Sequence, residues 1–346
     1  METDVLGTPY EQTRVLLDPD DEGEVVATLV GLRAAEPTGR AVLYVHGYVD
    51  YFFQTHLAEF FTERGYDFYA LDLRKYGRSL LRHQTPNYCR DVAEYFPEID
   101  EAVRIIREVD GHDTLLVNGH STGGLITALW AHRVRGRGVL QGLFLNSPFF
   151  EFNEPWLVRR GLSKLVNAVG ARRPKVKLPQ QLGTLYGKSI HRDHHGEWDY
   201  DLAWKPLNGY PIYAGWARAM SLAHRRVQAG LAIDVPVLVA ISARSYRGKT
   251  FTEAAHHADS VLNVEHIARY APGLGRDVTL VRIDGGKHDL TLSPAPARER
   301  LFTQLEGWLG SKLGDSYREK RALAPDLASQ EGRAADESGA LPQDAG

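Results

Sequence analysis

A serine between two glycines is the feature of this sequence that points most directly to chemistry. Ser121 is the third residue of the segment 119–123, Gly-His-Ser-Thr-Gly, which fits the pattern G-x-S-x-G. An apolar run over 114–118 precedes the segment, and a helix is predicted over 123–134 directly after it. A strand, a tight turn and a helix in this order hold a serine hydroxyl exposed as a nucleophile, and small neighbouring residues leave room for the turn. The start of the helix would also favour negative charge that develops at Ser121.

A nucleophilic serine requires a general base, and His288 is our candidate among the 14 histidines. It lies in the loop Gly285-Gly286-Lys287-His288, shortly after a predicted strand over 278–283. Loops at the carboxyl ends of parallel strands meet at one edge of a sheet, where an imidazole can lie over a nucleophile from a neighbouring strand. We therefore expect His288 to accept the proton of Ser121.

Other histidines near these motifs have interpretations that need no catalysis. His120 flanks the nucleophile, and we expect its side chain to point away from the active face of the turn. His191, His194 and His195 have a spacing that superficially resembles a metal site. No second set of ligands with a convincing spacing accompanies them, so we expect no bound metal.

Apolar runs alternate with helical patterns through most of the chain. Strands are predicted over residues 25–33, 40–45, 66–73, 114–118, 140–146, 235–242 and 278–283. Helices are predicted from Thr55, over 99–109, over 123–134 and over 298–309. A strand that is apolar throughout is buried on both faces. The alternation therefore predicts an α/β fold with a mostly parallel central sheet and helices on both faces.

The alternation stops between residues 148 and 233, where aromatic residues, prolines and basic residues replace it. We expect a core in two parts, residues 1–147 and 234–312, with an inserted cap or lid over 148–233. Residues 313–346 contain few large apolar side chains, so we expect a disordered C-terminal tail. The aromatic residues at the start of the expected cap either line an acyl channel or attach the cap to the core; they are Phe149, Phe150, Phe152 and Trp156.

With these motifs in this order, the chain resembles the α/β-hydrolase superfamily. Within it, the chain looks most like the lysophospholipase, monoacylglycerol lipase and serine aminopeptidase-like hydrolases. The matching segments are the turn at 45–48 (Val-His-Gly-Tyr), the segment 71–79 (Leu-Asp-Leu-Arg-Lys-Tyr-Gly-Arg-Ser), the serine motif at 118–124 and the loop at 285–288. The resemblance covers about residues 25–310 and implies an α/β-hydrolase fold with a serine nucleophile.

Two backbone N–H groups are expected to form an oxyanion hole. One belongs to Thr122, because the residue after the nucleophile supplies a donor in this kind of turn. The resemblance implies that the second is the N–H of Tyr48, in the turn that follows the strand over 40–45. His46 in the same turn is expected to support the loop rather than to take part in the chemistry.

The acid that orients His288 is expected after the strand over 235–242, but no carboxylate follows that strand at once. The segment 258–264, Ala-Asp-Ser-Val-Leu-Asn-Val, resembles the superfamily segment that carries the acid, which implies Asp259. Glu253 is the alternative. Glu151, after the preceding strand, occupies a less common location for such an acid. Asp284 and Asp289 flank the histidine and are expected to support the site, and Asp234 precedes the strand at its wrong end.

Composition limits the classes of function. The 346 residues carry a formal net charge of -3, which gives no support for nucleic acid as a partner. The single cysteine, Cys89, excludes an intrachain disulfide and fits a reducing compartment. We recognise neither a signal peptide nor an integral membrane segment, so we expect a cytoplasmic protein. No nucleotide-binding fingerprint is present, so we expect no cofactor.

These features predict a serine hydrolase that cleaves a carboxylic ester through an acyl-enzyme, with a small-molecule or lipid-like substrate such as a monoacylglycerol or a lysophospholipid. Peptide hydrolysis stays open, with Glu151 or Glu154 as a group that binds a free amine. Carbon–carbon bond hydrolysis and a non-catalytic binding role on the same scaffold also stay open. The basic run over 172–177 is compatible with a lipid headgroup and also with a solvated loop.

Overall fold

A computed structural model describes residues 2–153, 166–179, 183–248 and 250–314. The strands of these residues are β1 (Glu2–Thr3), β2 (Glu11–Asp20), β3 (Gly23–Leu32), β4 (Arg40–Val45), β5 (Tyr66–Asp72), β6 (Thr114–His120), β7 (Gly142–Asn146), β8 (Val237–Ser242) and β9 (Val278–Ile283). They form one sheet in the order β1-β2-β3-β5-β4-β6-β7-β8-β9.

The part of the sheet from β5 to β9 is parallel throughout. Strands β4, β5 and β8 are buried along their whole length, as strands covered on both faces must be. The apolar runs of the sequence predict each of these six strands, with ends that differ from the observed ends by no more than two residues. The prediction of a mostly parallel sheet is therefore confirmed.

Strands β1 to β3 continue the sheet in antiparallel pairs beside β5. The sequence predicts β3 but neither β1 nor β2. In β2 only Val15 is buried among ten residues. A strand close to the edge of a sheet, with one face in solvent, has no continuous apolar run, so the signal that identifies the internal strands is missing here.

The helices of the described residues are α1 (Thr55–Thr62), α2 (Phe96–Arg104), α3 (Thr122–Val134), α4 (Leu185–Ile190), α5 (Ala214–Gln228), α6 (Val264–Tyr270) and α7 (Ala295–Leu313). Helix α2 continues as a π-helical turn over Ile105–Val109, and residues 166–172 are also helical. Short 3₁₀ turns occupy Gly77–Ser79, Val92–Tyr95, Glu253–His257, Ala271–Gly273 and Leu290–Leu292. The four predicted helices correspond to α1, to α2 with its π-helical turn, to α3 and to α7.

Alternate side chains of the central strands belong to two apolar layers, one on each face of the sheet. Ala41, Leu43 and Val45 of β4 pack in the layer that includes α2, α3 and α5. Val42 and Tyr44 of the same strand pack in the layer that includes α1 and α7. Helices on both faces fix the parallel strands, and the loops at their carboxyl ends are held at one edge.

The chain between β7 and β8, residues 147–236, is called the β7–β8 segment below. It contains α4 and α5, and its described residues add no strand to the sheet. Helix α5 packs on α3 and buries Trp216, Met220 and Val227 in the core layer that it shares with α3. Trp156 of the expected cap, the acid Glu154 and residues 315–346 of the expected tail lie outside the described residues.

Candidate active site

Ser121 occupies a strained turn between β6 and α3. Its φ is +51°, a left-handed conformation that residues with side chains rarely adopt. The flanking glycines are required by close packing: a Cβ at Gly119 would lie 2.3 Å from Thr127 Oγ1, and one at Gly123 would lie 2.3 Å from the carbonyl oxygen of His46. Strain of this kind persists only where the surrounding structure holds it, and it is concentrated at active sites.

The side chains of Ser121, His288 and Asp259 form a continuous line of hydrogen bonds. Ser121 Oγ lies 2.9 Å from His288 Nε2, and His288 Nδ1 lies 2.9 Å from Asp259 Oδ2. An ionised carboxylate only accepts hydrogen bonds, so Nδ1 carries the imidazole proton and Nε2 accepts from the serine hydroxyl. The three residues are 9%, 3% and 0% exposed, in the order Ser121, His288, Asp259. This geometry permits transfer of the serine proton to His288.

Backbone N–H groups hold the carboxylate of Asp259 in place. Its Oδ1 accepts hydrogen bonds from the N–H of Val261 at 2.8 Å and of Leu262 at 2.7 Å, while its Oδ2 faces His288. Glu253, the alternative acid, has a side chain that is 81% exposed and pairs with a neighbouring surface histidine. Of the two candidate acids, the structure brings Asp259 to His288 and leaves Glu253 at the surface.

Asp289 fixes the loop that carries His288. Its Oδ1 accepts a hydrogen bond at 2.7 Å from Asn146, the last residue of β7. Its Oδ2 accepts one at 3.1 Å from Gln54, which directly precedes α1. The other carboxylate beside the histidine, Asp284, is exposed and pairs with an arginine. Asp289 thus connects the loop of His288 to the end of β7 and to the residue before α1, next to the candidate site. The exposed Asp284 does not.

The residues of the two expected oxyanion donors lie beside Ser121. Thr122 is the first residue of α3, so its N–H has no acceptor within the helix. Tyr48 follows Gly47, where an added Cβ would lie 3.1 Å from the Cβ of Ser121, so the loop after β4 passes directly against the nucleophile turn. Tyr48 and Thr122 both line the cavity onto which Ser121 opens.

His46 is buried within the loop after β4 and holds its shape. Its Nδ1 donates to the carbonyl oxygen of Gly47 at 2.8 Å, and its Nε2 accepts from the N–H of Leu73 at 3.0 Å. Burial lowers the pKa of His46, so the ring is neutral at pH 7. These contacts agree with the expected supporting role of this histidine.

The prediction that His120 points away from the active face is wrong. Its ring centroid lies 5.1 Å from that of His288, and its Nδ1 lies 3.2 Å from Asp50 Oδ2. As the last residue of β6, it emerges where the loops after β4 and β9 converge. Burial by itself would lower the pKa of His120, but the carboxylates of Asp289 and Asp50 reverse this and the pKa is raised.

Ser121 opens onto a cavity of about 890 Å³, large enough for a lipid-like or drug-sized molecule. Much of its wall is apolar and comes from the β7–β8 segment, including Phe149, Phe152, Leu178, Ile212 and Trp216. Phe150 is fully buried in the core. The wall also contains polar side chains, among them Glu151, whose Oε2 accepts a hydrogen bond from Gln228 at 3.0 Å.

The aromatic residues of the β7–β8 segment line the cavity, pack against the core, or do both. Tyr186, Tyr200 and Trp216 line the cavity. Trp198 stacks on His56 with ring centroids 4.5 Å apart, and Trp204 contacts Tyr51 edge-on at 5.1 Å. Cavity lining and packing against the core therefore both occur among these aromatic residues, and Tyr200 and Trp216 do both.

The remaining polar groups that the sequence singled out lie in other settings. His191 packs edge-on against Tyr200 at 4.8 Å, and His195 stacks on Phe251 at 3.8 Å. The described ranges contain no group of three or more His, Cys, Asp or Glu side chains that could hold a metal ion. Asp234 precedes β8 and accepts a hydrogen bond from the N–H of Gly136 at 2.6 Å. Among the helices of the described residues, none combines the length and apolar character of a membrane span.

Residues 36–294, about three quarters of the chain, match a family model described as serine aminopeptidase, S33. No match was found among curated proteins. Similar solved structures include a soluble variant of the monoglyceride lipase from Saccharomyces cerevisiae, at 14% identity and TM-score 0.60, with 86% of this chain and 94% of that chain covered. A monoacylglycerol lipase from Paleococcus ferrophilus is 21% identical at TM-score 0.58, with 82% and 98% covered. A carboxyl esterase from Bacillus coagulans is 12% identical at TM-score 0.63, with 87% and 98% covered.

These structural similarities, at identities of 21% or less, establish the fold. The parallel sheet, the helices on both faces and the serine turn after β6 are features that this chain shares with α/β-hydrolases. The family match extends from the residues before β4 to the turn before α7, so it includes every strand of the parallel part of the sheet. The chain belongs to the serine aminopeptidase S33 family and is a serine hydrolase with the α/β-hydrolase fold.

Proposed function

We propose that the protein hydrolyses carboxylic esters of apolar acyl groups, with Ser121 as nucleophile, His288 as general base and Asp259 as the acid that orients the base. The observation that carries the proposal is the line of two 2.9 Å contacts from Ser121 Oγ through the imidazole to Asp259 Oδ2. This line begins at the wall of a largely apolar cavity. Membership of a serine hydrolase family supports the same chemistry.

Acylation begins when Ser121 Oγ attacks the ester carbonyl carbon and its proton moves to His288 Nε2. The imidazolium that forms is stabilised by Asp259, which also keeps the remaining proton on Nδ1. The tetrahedral intermediate then expels the alcohol, which takes the proton from Nε2, and the acyl group stays on the serine. A water molecule repeats the sequence as nucleophile and releases the acid. These steps use side chains and water and require no cofactor.

Negative charge develops on the former carbonyl oxygen during both steps. The N–H groups of Thr122 and Tyr48 are the donors that we assign to it. The position of Thr122 at the start of α3 supports this assignment, since the helix dipole favours negative charge there. Loss of one such donor typically raises the barrier by about 2.7–4 kcal/mol.

Residues 148–233 form the cap in this proposal, and the cap selects the acyl group. The apolar cavity wall supports a lipid-like or aromatic ester, for example a monoacylglycerol or a lysophospholipid. A monoglyceride lipase and a monoacylglycerol lipase are among the structures with a similar fold, which supports an ester of this class. We place the enzyme in the cytoplasm, because its one cysteine, Cys89, suits a reducing compartment.

Aminopeptidase-like activity is the second candidate, and Glu151 is the observation that favours it. Its side chain lines the same cavity as Ser121, and a carboxylate in that position is a suitable partner for a substrate ammonium group. The family description points in the same direction. Turnover of aminoacyl p-nitroanilides above that of acyl p-nitrophenyl esters would favour this candidate over the ester hydrolase.

The proposal is tested by a fluorophosphonate probe with peptide mapping, beside a series of p-nitrophenyl esters of increasing acyl length. We expect labelling at Ser121 and turnover that is highest for medium or long acyl groups. The control is Ser121→Ala, in which kcat is expected to fall on the order of 10⁶-fold. Folded protein that shows neither labelling nor turnover would contradict the proposal and favour a binding role for the cavity.

A further inference from the structure

A buried ion pair links the β7–β8 segment to the loop after β4. Nζ of Lys205, in the segment, lies 2.6 Å from Asp50 Oδ1 and 3.4 Å from the carbonyl oxygen of Val49. Lys205 is 6% exposed and Asp50 is 1% exposed. Both residues line the cavity that contains Ser121, yet no step of the mechanism above uses either of them.

Asp50 divides its carboxylate oxygens between the segment and the core. Oδ1 accepts from Lys205, whereas Oδ2 lies 3.4 Å from the N–H nitrogen of Gly47 and 3.2 Å from Nδ1 of His120. Gly47 directly precedes the proposed oxyanion donor, and His120 directly precedes the nucleophile. One carboxylate therefore connects three parts: the oxyanion loop, the nucleophile turn and the β7–β8 segment.

The loop that this carboxylate holds is strained. Val49 has a φ of +51°, a left-handed conformation that is a true outlier for a β-branched residue. Such a conformation persists only when neighbouring contacts enforce it. The carbonyl oxygen of Val49 accepts from Lys205, so the segment contributes directly to a backbone conformation one residue beyond the proposed donor at Tyr48.

The surroundings of Lys205 favour a charged side chain at this point. Its Nζ lies over the rings of Phe53, Tyr186 and Tyr200, at 5.6, 5.9 and 5.7 Å from their centroids. Burial alone would raise the pKa of Asp50, but Lys205, followed by His120, holds it well below its usual range. Removal of Lys205 would take the larger of these two stabilising influences away from a buried carboxylate.

On the basis of the proposed function, we infer that Lys205 is a positioning residue. Through Asp50, it makes the geometry of the oxyanion loop depend on how the β7–β8 segment packs on the core. Without the ammonium group, the strained backbone at Val49 relaxes and the N–H of Tyr48 leaves the place where the oxyanion forms. Lys205 then influences the chemical step although it does not touch the reacting atoms. A purely structural ion pair would instead change stability and leave kcat unaltered.

The test compares Lys205→Met with Lys75→Met. Lys75 is also a buried lysine, 1% exposed, and it pairs with Asp20 at 2.6 Å and Glu22 at 2.7 Å in a different loop. With a p-nitrophenyl ester well below the melting temperature, Lys205→Met is expected to lower kcat about 10- to 100-fold with little change in KM. The rate of fluorophosphonate labelling at Ser121 should fall in parallel. Lys75→Met should keep the kcat of the wild type even where it lowers the melting temperature.

Asp50→Asn supplies a second measurement, and it carries the test if Lys205→Met does not fold. Its kcat should fall about 10- to 100-fold with little change in KM, and an unchanged kcat would overturn the inference. Lys205 contacts Asp50 at 2.6 Å and the Val49 carbonyl oxygen at 3.4 Å, so its main influence passes through Asp50. The variant with both substitutions should therefore have a kcat within about two-fold of that of Asp50→Asn alone. The inference is overturned if Lys205→Met keeps a kcat close to that of Lys75→Met, if its loss lies in KM alone, or if the two losses multiply. Absence of labelling in the wild type would instead contradict the proposed function.

Discussion

Loops at the ends of β6, β8 and β9 carry Ser121, Asp259 and His288, whereas the β7–β8 segment supplies much of the cavity wall. The loop residues stand in short motifs that follow strands of the parallel part of the sheet. The segment has no comparable motif, and its contribution is a surface built from side chains far apart in the sequence. In the proposed function, the sheet therefore determines where the chemistry occurs, and the segment determines which substrates reach it.

The two regions also differ in how they are held. Close backbone packing fixes the nucleophile turn, where even a Cβ at Gly123 would collide with neighbouring carbonyl groups. Individual polar contacts help to hold the segment on the core, including the hydrogen bonds from Trp198 Nε1 to the carbonyl of Leu292 and from Lys287 Nζ to the carbonyl of Ser189. Substitutions in the nucleophile turn should therefore change the chemical step. Substitutions in the β7–β8 segment should change substrate selection or the packing of the segment on the core.

The largest effect among these comparisons separates the two carboxylates that the sequence offers as the acid of His288. Asp259→Asn should lower kcat on the order of 10⁴-fold, because the amide favours the wrong imidazole tautomer and cannot stabilise the imidazolium. Glu253→Gln, at the exposed alternative acid, should leave kcat unchanged. Steady-state kinetics with a p-nitrophenyl ester measures both. A large loss in Glu253→Gln with none in Asp259→Asn would reverse the assignment of the acid.

A smaller effect is expected from a substitution in the cavity wall of the segment. Leu178 lines the cavity, and Leu178→Trp should reduce kcat/KM for long acyl esters about ten-fold while acetate turnover stays the same, since the larger side chain fills the acyl space. The matched control is Val176→Trp, two residues earlier and 40% exposed. An unchanged chain-length preference in Leu178→Trp would contradict the role of this wall in acyl selection.

The smallest expected effect concerns stability at the contact between Lys287 and Ser189. Burial lowers the pKa of Lys287 to about 8, against an opposing influence of Glu197 and then Glu253. Between pH 8 and 10 the unfolded chain, with an ordinary lysine pKa, binds more protons than the folded protein. Lys287 therefore makes the free energy of unfolding increase as the pH rises through this range.

Urea unfolding of the wild type and Lys287→Met checks this prediction. The free energy of unfolding of the wild type, relative to the variant, should increase with pH by at most about 1.4 kcal/mol per unit between pH 8 and 10. Lys312→Met removes a surface lysine that pairs with Asp277 at 2.8 Å, and it serves as the control. A difference between wild type and Lys287→Met that is independent of pH would contradict the lowered pKa.

Sequence patterns predict the parallel sheet, Ser121 and His288, because internal strands leave apolar runs and tight turns require glycine. Asp259 and Tyr48 follow only from the resemblance to the superfamily. The separation of 29 positions from Asp259 to His288 leaves room for the helix α6 and the strand β9 that the structure contains. Strand β2 escapes prediction because one buried residue, Val15, leaves no apolar run.

Contacts between distant loops are the part that the sequence does not predict. Lys205 and Asp50 are 155 positions apart, and neither stands in a sequence motif that predicts an ion pair between them. The orientation of His120 was predicted wrongly for the same reason, since it depends on where Asp50 and Asp289 converge at the end of β6. Such pairings arise from the three-dimensional meeting of loops, which local patterns do not encode.

The central claim is that Ser121 carries the acyl group during turnover, and the most direct test is to trap that intermediate. The wild type would be mixed with excess p-nitrophenyl hexanoate, quenched with acid within milliseconds, digested and mapped by mass spectrometry. We expect a burst of p-nitrophenol and a hexanoyl group on the peptide that contains Ser121, at the serine itself. Sustained turnover with an unmodified Ser121, or acylation of another residue that accounts for the burst, would contradict it.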